Sequence, residues 1–286
     1  MVDARDSRPR PSVRRVGDNL RNVISNARVA WYAIVSGAND YWAIFTLKSW
    51  IFGWCVRMIS QVSFFALIGK LLRSDAQTQF LLIGNAVVIA AAASTFAMFM
   101  TTSERGNGTL SLLLASPSRP VVVFAARGVY VMADGVFSSL LGLFILGPAF
   151  GLHFPFPRVL LVIPLTLLVG ASAYCFSTFL AGVILRYREI TGLVVNATIV
   201  TLMALCGVNV PVSFYPTWLE WISRCLPITN GLEAIRDVID GAAWSTIAAH
   251  TGAELLVASV WLSLALTTFG IFMRAGQRDG SLEYAS

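Results

Sequence analysis

The segment LLIGNAVVIA at residues 81–90 indicates the fold of the whole chain. Its apolar residues follow one another without the alternation of polar and apolar side chains that a strand of a transmembrane barrel shows. The segment belongs to a mostly apolar run over 80–102, and about 20 such residues cross the hydrocarbon core of a bilayer as a helix. We therefore predict a transmembrane helix here.

Further apolar runs of similar length occur along the chain. The chain has 286 residues, of which 56% are hydrophobic and only 13% are charged, whereas a soluble domain carries roughly a quarter charged residues. We predict an all-α integral membrane protein with a transmembrane domain over 50–273. Its six helices are expected over 50–72, 80–102, 121–147, 159–185, 190–212 and 251–273.

Arginines predict the orientation of these helices. The first 30 residues hold seven arginines against three aspartates, and basic residues favour the cytoplasmic side. We predict a multi-pass protein of the plasma membrane with both termini in the cytoplasm. Residues 1–28 are expected to be a disordered basic tail that contacts anionic membrane lipid, in preference to nucleic acid. Residues 274–286 are expected to be a second cytoplasmic tail.

The aromatic-rich segment 29–49 precedes the first predicted span. Its polar residues Asn39, Asp40 and Lys48 make it too polar to cross the bilayer. Tryptophan and tyrosine are enriched at the membrane interface. We predict an interfacial helix here, and a hydrophobic linker is the alternative.

The cysteines and histidines do not suggest a metal site. Cys225 is the only cysteine outside the predicted spans, no CxxC spacing occurs, and His153 and His250 are isolated. Metal-binding proteins usually cluster such ligands at short, regular spacings. We expect no metal on this chain.

The loop segment ERGNGTLSLLLASP, residues 104–117, carries a leucine stripe. A helix from Thr109 would place Leu110, Leu113 and Leu114 on one face. Pro117 would end that helix, because the residue before a proline disfavours the helical conformation. From the residues alone, this helix either forms a binding surface for a soluble partner or packs on its own bundle.

The segment 213–249 between the last two predicted spans is apolar but interrupted. Pro216 and Pro227 suit the starts of two short helices, with too few apolar residues for a span. We expect a half-inserted, re-entrant hairpin that forms a lid at the outer end of a pathway. The alternative is an amphipathic cap that only shields the bundle.

Several polar side chains occur inside the predicted spans. A charge at mid-bilayer costs about 2.5–3.5 kcal/mol on insertion scales, so such residues usually face protein or water. Arg57 and Asp134 either line a translocation route or pair with each other, and hydrogen bonding between helices is favoured for the amides. The candidates for the path are Arg57, Gln61, Asn85, Asp134, Asn196 and Asn209.

The order of these parts resembles the permease subunit of a type-2 ABC exporter. In that family a coupling helix after the second span carries the pattern E-R-x-x-G-T-L-x-x-L-L-x-x-P. The matching residues are Glu104, Arg105, Gly108, Thr109, Leu110, Leu113, Leu114 and Pro117. This chain has Glu104 alone, where many relatives have a glutamate-rich stretch.

A second pattern, P-x-T-x-x-x-x-x-x-R, resembles the drug-resistance branch of that family. It is matched by Pro227, Thr229 and Arg236 in the outer hairpin. With Glu233, these residues are the candidates for an outer gate. The first span is expected to follow an interfacial elbow helix over 29–49, as in the family.

The resemblance implies a complex of two permeases, identical or homologous, with two copies of a separate ABC ATPase. ATP and Mg²⁺ would be bound by that ATPase. This chain lacks the GxxxxGK[ST] loop of nucleotide-binding domains, so we expect a non-catalytic subunit without a cofactor. The coupling helix would rest in a cleft of the ATPase and transmit its closure.

The cargo implied by the resemblance is an amphipathic drug, secondary metabolite or lipid-like molecule. A permease for lipid-linked glycans is the nearest alternative. A proton-driven secondary transporter would use Asp134 as a relay, but the sequence shows no inverted repeats. A membrane anchor without transport would need neither a coupling helix nor a re-entrant hairpin.

Overall fold

The structure is a computed structural model that describes residues 28–39, 46–106, 126, 128–184 and 188–279. Within these ranges the regular structure is helical and no strand occurs. Five helices are long and apolar enough to cross a membrane, and they span Leu47–Leu71, Asp75–Met100, Val129–Ala149, Arg158–Ile184 and Trp244–Ile271. The predicted all-α membrane fold is confirmed.

The helices are numbered here in chain order. A first helix, α1, covers 28–39, and α2 covers Leu47–Leu71 with a π-helical stretch at Trp50–Cys55. The others are α3 (Asp75–Thr95), α4 (Ala97–Gly106), α5 (Val129–Ala149), α6 (Val162–Ile184), α7 (Thr191–Leu205), α8 (Thr217–Cys225), α9 (Thr229–Asp240) and α10 (Trp244–Asp279). Helix α1 begins one residue before the segment predicted to be interfacial, 29–49, and covers its first part; its place at the interface stays a prediction.

Helix α3 is the centre of the bundle. Every residue from 81 to 95 is buried, and α3 packs against α2, α5, α6 and α7. Small side chains permit this close packing. A Cβ atom on Gly135 of α5 would collide with Ala93, and Ser94 donates a hydrogen bond of 3.1 Å to the Gly170 carbonyl of α6.

The predicted fifth span, 190–212, is too long. Helix α7 ends at Leu205, and Gly207 adopts a left-handed conformation with φ of 72°, which glycine enters at little cost. Pro211 follows and has no N–H to continue a helix. The apolar run therefore holds a short helix followed by irregular backbone.

The last span begins earlier than predicted. Gly241, with φ of 73°, ends α9, and α10 starts at Trp244, seven residues before the predicted 251. Helices α8 and α9 form a hairpin within 217–240. We refer to the end of the bundle that carries α8 and α9 as the hairpin end.

Candidate functional site

The start of α9 is held by a buried carboxylate of α10. Ile228 adopts a left-handed conformation with φ of 77°, and its N–H donates to Glu254 Oε1 at 3.0 Å. The N–H of Gly231 donates to Glu254 Oε2 at 3.0 Å, and Glu254 is fully buried. Because the first N–H groups of a helix lack internal partners and carry partial positive charge, a carboxylate stabilises them.

The predicted gate residues Pro227 and Thr229 lie at the turn between α8 and α9. The Thr229 hydroxyl is buried and donates a hydrogen bond of 2.6 Å to the Ser223 carbonyl in the last turn of α8. The Ser223 hydroxyl in turn donates at 2.6 Å to the carbonyl of Leu205, where α7 ends. This chain of bonds fastens the hairpin turn to the broken end of α7.

The guanidinium of Arg236 occupies the gap left where α7 stops. It donates at 2.9 Å to the Gly207 carbonyl and at 3.1 Å to the Phe80 carbonyl of α3, and Cζ lies 3.6 Å from the Phe80 ring centroid. Carbonyls at a helix end need such donors. Burial lowers the pKa of Arg236 to about 9, and the charges of Glu233 and Asp240 oppose this effect.

Gly84 of α3 makes this approach possible. A Cβ atom there would collide with the Val208 carbonyl oxygen and would lie 2.9 Å from Arg236 Nη2. Because Gly84 has no side chain, the irregular backbone after α7 and the Arg236 guanidinium can both lie against α3. The sequence motif contained Arg236, but it did not indicate which groups the side chain binds.

Glu233, the remaining predicted gate residue, belongs to a charged network that joins α8, α9 and α10. Arg224 lies 3.0 Å from Glu220 and 3.2 Å from Glu233. His250 Nε2 lies 3.3 Å from Glu233, and its Nδ1 lies 2.6 Å from Asp237. Side-chain contacts thus link α8 to α9 through Arg224 and α9 to α10 through His250.

A polar cavity opens at the same end. It has a volume of about 510 Å³, and its lining includes Lys70, Asp75, Gln79, His153 and Asp240. The Gln79 amide donates to Asp240 at 2.6 Å, and Lys70 pairs with Asp75 at 2.8 Å. The cavity therefore lies between the start of α3 and the end of α9.

Two of the predicted path residues bond to each other. The Asn85 side chain donates at 3.0 Å to the Asn209 side-chain oxygen and at 3.0 Å to the Leu81 carbonyl. Asn85 is fully buried. The contact joins α3 to the irregular backbone that follows α7.

Arg57 and Asp134 do not pair with each other, so that expectation needs correction. The Trp50 indole donates to Asp134 Oδ1 at 2.9 Å, and the Arg57 guanidinium lies 5.3 Å from the centre of the Trp54 ring. The Trp54 indole donates at 3.0 Å to the Ser138 hydroxyl. Trp50 and Trp54 lie four residues apart in the π-helical stretch, and both indoles donate to side chains of α5. Each charged residue therefore has a tryptophan beside it.

Arg57 and Gln61 line a shallow groove between α2 and α3. Arg57 is exposed and Gln61 is half-buried. The other lining residues are Trp54, Met58, Ile89 and Ala92. This groove is the place where the structure brings two predicted path residues together on a surface.

Asn196 lies on an exposed face of α7. Its amide donates to the Gly192 carbonyl of its own helix at 2.9 Å. The exposed residues of this face are Leu193, Asn196, Ala197, Val200, Thr201 and Ala204. The face therefore mixes apolar, small and polar side chains on a helix with a mostly apolar sequence.

The predicted coupling segment begins at the other end of the bundle. Glu104 and Arg105 fall in the last turn of α4, which extends the line of α3 away from the hairpin end. Gly108, Thr109, Leu110, Leu113, Leu114 and Pro117 lie outside the described residues. Their helix and its leucine face stay a prediction.

Comparison with family models decides the class of protein. A model described as ABC-2 family transporter protein matches residues 61–267. The chain belongs to the ABC-2 transporter family. The match includes the segment 104–117 and the hairpin of α8 and α9, so this ABC-2 permease subunit carries both predicted motifs inside the matched region. A comparison with curated proteins finds no match.

The resemblance predicted from the sequence is confirmed at the level of the family. Glu254 was missed, although it is the single acidic residue within the last predicted span, 251–273. A lone ionisable residue in an apolar span indicates a partner inside the protein. That signal was present, but only the fold shows that the partner is the backbone of α9.

Proposed function

We propose that this ABC-2 permease is the membrane-spanning subunit of an ATP-driven exporter of the plasma membrane. It works with two copies of a separate ATPase, which bind ATP and Mg²⁺, and with a second permease. Its cargo is an amphipathic drug, secondary metabolite or lipid-like molecule. Both termini lie in the cytoplasm. The family match over 61–267 carries this proposal.

The segment 104–117 supports an ATPase partner. It begins in the last turn of α4, at the opposite end of the bundle from the hairpin, and a helix over its later residues would place Leu110, Leu113 and Leu114 on one face. An apolar helix face on a loop of a membrane protein is suited to bind in a cleft of a soluble partner. Closure of two ATPases would then move α4 and, through it, α3 at the centre of the bundle.

The exposed face of α7 supports a second permease. Helix interfaces in membranes are enriched in small residues and in side chains that hydrogen-bond across helices. Ala197, Ala204, Asn196 and Thr201 bring both kinds of residue to one face that is open in the single chain. A second permease against this face would give the Asn196 side chain a partner beyond its own helix.

The contacts of the hairpin support its role as an outer gate. Glu254 fastens α9 to α10, and Arg236 fastens α9 to α3 and to the end of α7. A displacement of α7 or α10 would therefore be transmitted to the hairpin. In this proposal the hairpin opens when the two permeases separate at the outer surface.

The proposal is tested by purifying the tagged full chain from its native membrane and reconstituting what accompanies it. We expect an ABC ATPase to co-purify, and amphiphile transport into vesicles to require ATP hydrolysis. Transport should persist when an ionophore collapses the proton gradient. Transport that stops with the gradient and continues without ATP would instead indicate a secondary transporter.

A further inference from the structure

Arg57 lies at the middle depth of the bundle. Its neighbour Met58 has its sulfur 3.5 Å from the position that a Cβ atom on Gly142 would take, near the middle of α5. The groove that contains Arg57 also brings it to Ile89, near the middle of α3. The position of Arg57 along α2 and its neighbours on α3 and α5 therefore place this exposed guanidinium at the level of the hydrocarbon layer.

The Arg57 guanidinium stays beside the apolar part of α2. The guanidinium lies over Trp54, which is about one turn, or about 5 Å, closer to the start of α2. Trp54 is itself seven residues into the span that begins at Leu47. Long basic side chains can extend toward the headgroups, but this one stops at the indole, inside the apolar part of the helix.

The described part of the chain offers Arg57 no carboxylate. The acidic residues inside the spans, away from their ends, are Asp134 and Glu254. Asp134 accepts from Trp50, and Glu254 accepts from the backbone of α9 at the hairpin end. Neither of these two carboxylates thus lies against Arg57, and its exposed guanidinium is open to an anion.

We infer that Arg57 binds the anionic group of the exported amphiphile, a phosphate, sulfate or carboxylate on an apolar tail. The Arg57 Cζ lies 5.3 Å from the centre of the Trp54 ring, and the N–H groups of an exposed guanidinium can bond two oxygens of an anion. Gln61 lies one turn further along the same groove and adds an amide donor. Ile89 and Ala92 provide an apolar wall for the tail.

This inference deepens the proposed function and rests on it for regarding the bound molecule as cargo. It is tested by binding, which needs neither ATP nor the ATPase. The full chain is placed in nanodiscs of phosphatidylcholine, and radiolabelled dodecyl phosphate and dodecanol are compared by scintillation proximity, with protein-free discs subtracted. Absence of ATP-driven transport would contradict the exporter, whereas the binding result addresses Arg57 separately.

The wild-type chain should bind dodecyl phosphate about tenfold or more tightly than dodecanol, as expected for hydrogen bonds to a charged group. Arg57→Gln should lose this preference and Arg57→Lys should retain part of it. Arg73→Gln is the matched control, because Arg73 is exposed at the turn beyond α2, and it should keep the full preference.

Three results would overturn the inference. The first is a wild-type chain that binds the phosphate and the alcohol equally, which decides the question even if Arg57→Gln fails to fold. The second is an Arg57→Gln chain that keeps the wild-type preference. The third is loss of the wild-type preference in nanodiscs of phosphatidylglycerol, because the bilayer lipid would then be the anion that Arg57 binds.

Discussion

The carboxylate of Glu254 and the backbone N–H of Gly231 form a fully buried hydrogen bond of 3.0 Å between the last transmembrane helix and the hairpin. The other oxygen of the same carboxylate accepts from Ile228 at 3.0 Å. A single side chain thus supplies acceptors to two backbone donors at the start of α9. The position of the hairpin on the bundle depends on this contact.

Glu254→Gln should destabilise the purified permease. The amide of glutamine has one acceptor oxygen, so one of the two backbone N–H groups would lose its partner, at a cost of about 1–3 kcal/mol in the free energy of unfolding. Thermal unfolding in detergent should show a lower Tm, with a larger decrease for Glu254→Ala. Glu189→Gln changes an exposed glutamate before α7 and should leave the Tm unchanged. An unaltered Tm for Glu254→Gln would contradict the proposed anchoring role.

The Arg236→Lys variant should be less stable than the wild-type chain. Lysine has a single ammonium group, which cannot bond the Gly207 and Phe80 carbonyls together as the guanidinium does. The loss of one charge-assisted bond should cost about 1.5–3 kcal/mol. In a urea titration of the reconstituted chain, Arg236→Lys should have a lower free energy of unfolding than wild type. The value for Arg236→Gln should be lower still. Arg73→Gln is the control, and wild-type behaviour of Arg236→Lys would show that the two carbonyl contacts do not stabilise the fold.

Gly84→Ala should disturb the same region from the side of α3. The added methyl group would collide with the Val208 carbonyl and press on the Arg236 guanidinium, and overpacking of this kind costs about 1–3 kcal/mol. Gly252→Ala on α10 is the matched control, since nothing lies within 4 Å of a Cβ atom there. Tm measurements should separate the two variants, with Gly84→Ala lower and Gly252→Ala equal to wild type or higher. Equal Tm values would contradict the close approach at Gly84.

The hydropathy of the chain was sufficient to predict the membrane fold. Continuous apolar runs such as 80–102 became helices because backbone polar groups in lipid must bond within their own segment. The break after Leu205 was not visible, since Gly207 and Pro211 stand in an apolar run that otherwise suits a span. Their effect depends on Arg236 and Gly84, which supply a donor and space from elsewhere in the chain.

The partners of the candidate-site residues could not be predicted, because they are distant in the sequence or depend on how the helices pack. The motif included Thr229 and Arg236, but their partners Ser223 and Gly207 follow from the packing of the hairpin. The expected pair of Arg57 with Asp134 rested on opposite charges alone. The sequence gives no sign of the π-helical stretch that places an indole beside each of them.

We propose that force from an ATPase reaches this permease through the predicted leucine face of residues 104–117. Co-purification of the ATPase with the tagged chain checks this proposal, with Leu113→Asp on that face and Leu112→Asp on the opposite face as the matched control. Both chains should insert in the membrane, and only Leu113→Asp should lose the ATPase and with it ATP-driven transport. Retention of the ATPase and of normal transport by Leu113→Asp would contradict the account.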